Sequence, residues 1–107
     1  PEYMGLCLDT GHGYMTWREK LPEIIRQYGS RIYAVHLHDN NGAADFHLLP
    51  GEGEINWKEV MEALSASAYQ LPLLLEVNCY EDDTDGFLKR AYTSGEMLHS
   101  YYESFHG

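Results

Sequence analysis

Three short apolar runs in this chain each carry, at or near their C-terminal end, a side chain able to bind a metal or move a proton. Residues 4–9 (MGLCLD) close on Asp9, residues 32–38 (IYAVHLH) carry His36 and His38, and residues 71–77 (LPLLLEV) carry Glu76. Each run is followed by helix signals. A helix is expected over Leu21–Tyr28, with Pro22 early in it, a Thr16–Glu19 capping box ahead of it and Gly29 as its C′ residue. Asn56 caps a second helix over 57–67, where Val60, Met61 and Leu64 recur at helical spacing. Glu81, Asp82, Asp83 and Asp85 precede a third, over 86–104, and negative charge suits a helix N-terminus. Strand and helix alternating three times imply a parallel sheet with right-handed crossovers.

Side-chain parity narrows the fold further, because alternate strand residues share a face. Asp9 shares its face with Cys7 and Gly5, His36 with His38, Ala34 and Ile32, and Glu76 with Leu74 and Pro72. The opposite faces carry Met4, Leu6 and Leu8; Tyr33, Val35 and Leu37; and Leu73, Leu75 and Val77. Each strand is thus expected to turn a bulky apolar face to the helices and a mixed face to a site. An open doubly wound sheet needs helices on both faces; a barrel interior crowned by an active site fits better. The expected fold class is α/β, a partial TIM barrel of three consecutive βα units. A complete barrel takes about 250 residues, so the 107 residues form a single fragment of one.

Composition excludes some functions. An apolar content of 44% is ordinary for a globular chain. The longest apolar run, around 71–75, is too short for a bilayer and nothing resembles a signal peptide, so a cytoplasmic protein without membrane contact is expected. The net charge is −10, and the seven Lys and Arg residues do not cluster. That argues against a nucleic-acid surface, whose affinity comes mainly from basic side chains. Cys7 and Cys79 are expected as buried thiols rather than a disulfide.

The runs Leu8-Asp9-Thr10-Gly11-His12, Val35-His36-Leu37-His38-Asp39, Asp45-Phe46-His47, Pro50-Gly51-Glu52-Gly53-Glu54-Ile55-Asn56-Trp57 and Leu75-Glu76-Val77, in this order, resemble the xylose-isomerase-like TIM-barrel superfamily. Its members include sugar-phosphate isomerases and epimerases, inosose dehydratases, tagatose-3-epimerase-like enzymes and endonuclease IV. The resemblance covers nearly the whole chain and corresponds to the last three of eight βα units. It implies the C-terminal part of a divalent-metal-dependent sugar or sugar-phosphate isomerase or epimerase. It also implies Asp9, His36 and Glu76 as ligands of the principal metal ion, with a fourth ligand, a Glu, on an earlier strand. Two carboxylates and a neutral imidazole suit Mn²⁺, Zn²⁺, Co²⁺ or Mg²⁺. Such an ion polarises a carbonyl, and a carboxylate, here Glu76, moves the neighbouring proton.

His12, Asp45 and His47 match the extra metal site of endonuclease IV, or serve as substrate contacts. His38 is a candidate to support a ligand residue. Gly51 and Gly53 permit a tight turn, and Trp57 and Met61 are expected to pack in the core. Two other functions stay open. One is an endonuclease IV-like phosphodiesterase acting at abasic sites, opposed by the charge and by Gly11, where that branch commonly has Cys. The other is a non-catalytic barrel fragment that self-associates through uncovered strand edges. The expected partners are therefore a sugar or sugar phosphate, and either a second chain or the missing N-terminal part of the barrel.

Overall fold

In the computed structural model, which describes residues 4–67 and 69–106, strand β1 (Leu6–Asp9) pairs in parallel with β2 (Ile32–His36). The register sets Leu8 beside Val35 and Asp9 beside His36, so a carboxylate and an imidazole meet at the C-terminal edge of the sheet. Between the strands lie helices α1 (Thr10–Trp17) and α2 (Leu21–Tyr28), joined by one 3₁₀ turn and followed by another. Helix α3 (Trp57–Ser65) follows the long loop after β2, and α4 (Thr84–His106) ends the described chain.

The expected third strand does not form a ladder. Residues 71–77 make a single parallel bridge, Leu37 with Leu75. Leu37 N–H donates to Leu74 O (2.8 Å) and Glu76 N–H to Leu37 O (2.9 Å). Pro72 has no N–H to extend the pairing. The two-strand sheet therefore corrects the three-unit expectation. The bridge still brings Glu76 to the end of the sheet where Asp9 and His36 lie.

Helix α1 was not expected. Its N-cap is Asp9, whose carboxylate accepts the His12 N–H (2.9 Å). Thr16 lies inside this helix and its hydroxyl donates to His12 O (3.1 Å), so no Thr16–Glu19 capping box forms. Gly29 keeps a helical φ of −56° and is no left-handed C′ residue. A Cβ on Gly29 would come within 2.9 Å of Ser67 Cβ, so close chain approach explains this glycine. Asn56 caps α3 as expected, accepting from Glu59 N–H (3.2 Å). Asp83 accepts Gly86 N–H (2.9 Å) in the first turn of α4.

The core lies between β2 and helices α2, α3 and α4. Leu21, Ile25, Val35, Leu37, Val60, Met61, Leu64 and Leu98 are essentially inaccessible, with Trp57 nearly so. The apolar face of β1 behaves differently. Leu6 is 47% exposed, while Leu8 packs against the core. Cys7 and Cys79 are free but exposed, which corrects the expectation of buried thiols. No helix among the described residues is long and apolar enough to cross a membrane.

Candidate metal centre

The Asp-Thr-Gly-His segment after β1 and the His-Leu-His-Asp-Asn segment around the end of β2 interlock residue by residue. The Thr10 hydroxyl donates to His38 O (2.9 Å) and accepts from His38 N–H (3.0 Å), which fixes that backbone. A Cβ on Gly11 would come within 2.0 Å of His38 Cε1, so only glycine fits there. The His38 ring is fully buried, and its Nε2 donates to Asp9 Oδ1 (2.7 Å). Asn40, also buried, donates to Gly11 O (3.0 Å).

Asp39 organises the loop that follows. Its buried carboxylate accepts from the backbone N–H of Asn40 (2.9 Å), Gly51 (3.0 Å), Gly53 (3.0 Å) and Ile55 (3.1 Å), and from Trp57 Nε1 (2.8 Å). Five donors compensate the burial of one charge. Gly51 takes φ +99°, and a Cβ on Gly53 would approach Asp39 Oδ1 and Asn40 O to 2.5 Å. Both glycines are thus required by the wrapping of this loop around one carboxylate. Asp39 also exchanges backbone bonds with Leu48 (2.8 and 2.9 Å), closing the loop at its base.

The closed loop presents Asp45 and His47 to the end of the sheet. His47 sits at φ +53°, a left-handed conformation that histidine tolerates better than most residues. That turn lets His47 Nε2 reach Asp45 Oδ2 (3.1 Å) while His12 Nε2 approaches the same oxygen (2.9 Å). The other nitrogen of His47 donates to Glu76 O (2.9 Å). His12 Nδ1 lies 3.1 Å from Asp9 Oδ2, and His36 Nδ1 2.8 Å from Glu76 Oε2. The rings of His38 and His47 stack with centroids 3.9 Å apart. Asp9, His12, His36, His38, Asp45, His47 and Glu76 therefore form one continuous cluster.

The electrostatics of the cluster favour a cation. Partial burial pushes Asp45 up, but the hydrogen bond and charge of His12 and the charge and hydrogen bond of His47 outweigh it, leaving Asp45 below its ordinary value. Burial pushes His47 down, yet its bond to the Glu76 carbonyl and the nearby Asp45 and Glu76 carboxylates raise it above its ordinary value. Partial burial, then the Asp9 and Glu76 charges, raise the Cys7 thiol. Three carboxylates and four imidazoles form a donor set suited to Mn²⁺, Zn²⁺ or Co²⁺. Two triplets bring ligand atoms within 4.8 Å of one another: Asp9, His38 and Glu76, and His38, Asp45 and His47. His38 Nδ1 is buried and has no hydrogen-bond partner among the described residues.

Residues 1–97 match the family model described as a xylose isomerase-like TIM barrel. The chain belongs to this xylose isomerase-like family. It is 39% identical over 75 residues to the uncharacterized protein y4fM of Sinorhizobium fredii, covering 70% of this chain and 24% of the relative. It is 35% identical over 101 residues to the uncharacterized protein MJ1311 of Methanocaldococcus jannaschii, covering 94% and 32% respectively. The chain thus spans a quarter to a third of the length of these relatives. A crystal structure of a D-tagatose 3-epimerase-like protein superposes with a TM-score of 0.70 at 31% identity, over 98% of this chain and 37% of that one.

Within this xylose isomerase-like chain His36 pairs in register with Asp9 and its Nδ1 reaches Glu76, but the imidazole whose ligand atom lies within 4.8 Å of those of both Asp9 and Glu76 is that of His38; His12 and His47 both reach Asp45. His38 lies between these two groups as a buried residue. Asp39, Thr10 and Asn40 were not singled out from sequence. Asp39 had a signal: a carboxylate directly after a buried strand, followed by a loop with closely spaced glycines and a tryptophan N–H.

Proposed function

We propose that this chain is the C-terminal part of a divalent-metal-dependent isomerase or epimerase acting on a sugar or sugar phosphate. The reading rests on one observation above all, the gathering of Asp9, His36, His38 and Glu76 at the C-terminal edge of a parallel sheet. It is supported by the match to an epimerase-like structure and by the share of each relative that the chain spans, which leaves room for earlier βα units.

Asp9, His36 and Glu76 would hold the principal ion, and a divalent ion there supplies the positive charge that polarises a substrate carbonyl. Glu76, about half exposed, takes the proton from the carbon beside that carbonyl; it can return it to the neighbouring carbon in an isomerisation, whereas an epimerisation needs a second group on the opposite face to deliver the proton. His36, 2.8 Å from the Glu76 carboxylate, orients it. The remaining proton-transfer group and the remaining wall of the pocket belong to the rest of the barrel.

The test is deuterium wash-in at the carbon beside the carbonyl, across aldoses, ketoses and their phosphates, with metal-replete full-length protein. Exchange that falls at least about 100-fold in Glu76→Gln is expected. A panel with neither exchange nor interconversion would overturn the proposal. The convergence of His12, Asp45 and His47 also allows a phosphodiesterase. The net charge of −10 opposes it, as does the His38 ring, which leaves no space for a side chain at position 11. Cleavage of abasic-site DNA would reverse that preference.

A further inference from the structure

We propose that Arg18 is a positioning residue of this site: its guanidinium latches the tip of the 40–47 loop to α1, and so keeps Asp45 on the loop against His12 on the helix. The inference takes the work of the site from the proposed function, but the latch is tested apart from it.

The starting observation is a strained backbone. Arg18 follows α1 at φ +52° and ψ −128°, a conformation that suits glycine and strains a residue with a Cβ. Its backbone N–H closes the helix on Tyr14 O, a bond that glycine at this position would make as well. What the side chain adds is reach. The guanidinium passes over the Tyr14 ring, 5.9 Å from its centroid, and donates to Gly42 O (2.6 Å). Gly42 is shaped to receive it: its φ is +82°, and a Cβ there would collide with Arg18 Nη1. Strain beside a site persists where a contact that the strained residue alone can make requires it.

The latch is one of three ties between α1 and the loop. At the start of the helix Asn40 donates to Gly11 O (3.0 Å), while its own Oδ1 accepts Gly42 N–H (2.8 Å). At the end of the helix Arg18 holds Gly42. Between them His12 Nε2 meets Asp45 Oδ2 (2.9 Å), an exposed contact that water competes for. Without the guanidinium the tip would be anchored at Asn40 alone, and Asp45 would lose its fixed place beside His12.

The experiment compares the full-length protein with its Arg18→Gly and Arg18→Ala variants, after treatment with EDTA so that no ion holds Asp45. Both variants are expected to exchange amide hydrogens about tenfold faster over 40–47, with the helices unchanged. Arg18→Gly, freed of strain, should melt no lower than wild type, and Arg18→Ala, which keeps the strain, should melt below Arg18→Gly. Unchanged exchange over 40–47 overturns the proposal. So does faster exchange throughout the helices with a lower melting temperature in Arg18→Gly, which would make Arg18 an ordinary contact of the fold. In the metal-replete wash-in assay Arg18→Gly should raise KM about tenfold and leave kcat within about threefold, because the latch does not hold Glu76; an unchanged KM contradicts the positioning role. Wild-type protein that exchanges no substrate hydrogen would sink the proposed function, and exchange over 40–47 would still decide the latch. Arg18→Gly is decisive even where Arg18→Ala fails to fold.

Discussion

Single side chains here answer to more than one demand. Asp9 ends a strand, caps a helix and meets the imidazoles of His12 and His38; its place at the strand end and on the site face was legible, the helix cap was not. Asp39 is the sharper case. Its five N–H donors make it the tie of the whole 39–54 loop, and an amide in its place would turn an N–H toward groups that are themselves donors. Asp39→Asn is expected to lower unfolding stability by about 3 kcal/mol, read from urea denaturation; a loss below about 1 kcal/mol would show that the donors find other partners. Asp9, His12, His36, Asp45, His47 and Glu76 were legible because their residue types are rare at strand ends without a purpose. Asp39, Thr10 and Asn40 were not, since their value lies in hydrogen bonds to backbone far along the chain. Gly11 was noted only as a difference from one branch, and its reason emerged with the His38 ring beside it.

Elements were legible where a local signal decides them and misread where pairing does. Helices α2 and α3 lie close to their expected positions because helical spacing, Pro22 and the Asn56 cap act locally. Asn56→Ala is expected to cost about 1 kcal/mol, as for other lost N-caps, checked by thermal unfolding. Helix α1 was hidden because two glycines and two threonines in Thr10–Trp17 obscure its helical spacing; the Asp9 cap and packing against α2 override weak propensity. The run at 71–77 has strand composition, yet a strand exists only to the extent that a neighbour pairs with it, and here that extent is one bridge. Gly29 tests two opposing rules. At a helical φ, Gly→Ala ordinarily stabilises by about 0.4–1 kcal/mol, but the contact with Ser67 is expected to win. Gly29→Ala should therefore destabilise by about 1 kcal/mol, and a gain in melting temperature would mean that Ser67 yields.

At the scale of the molecule, the α/β class, the parallel pairing, the clustering at one sheet end and the uncovered strand edges were legible; the shortness of the sheet was not. A groove of about 510 Å³ runs beside β1, lined by Leu6, Leu8, Trp17, Ile24, Tyr28 and Ile32. Leu71 and Leu74 are 61% and 55% exposed at the other edge. Apolar edges of this kind favour association. The isolated 107-residue chain is therefore expected to form a dimer or larger species at micromolar concentration. Light scattering that returns the 12.3 kDa of one chain would count against it.

The loop tied at Asp39 divides into a frame and a tip. The exchange of bonds between Asp39 and Leu48 clamps both ends of the 40–47 segment, while residues 41–44 form turns closed mainly by their own asparagines. The frame holds Asp45 and His47, and the tip is tied to α1's end by Arg18, which donates to Gly42 O (2.6 Å). A loop swapped in at 41–44 is expected to leave Asp45 and His47 in place where it still offers Arg18 a carbonyl at position 42.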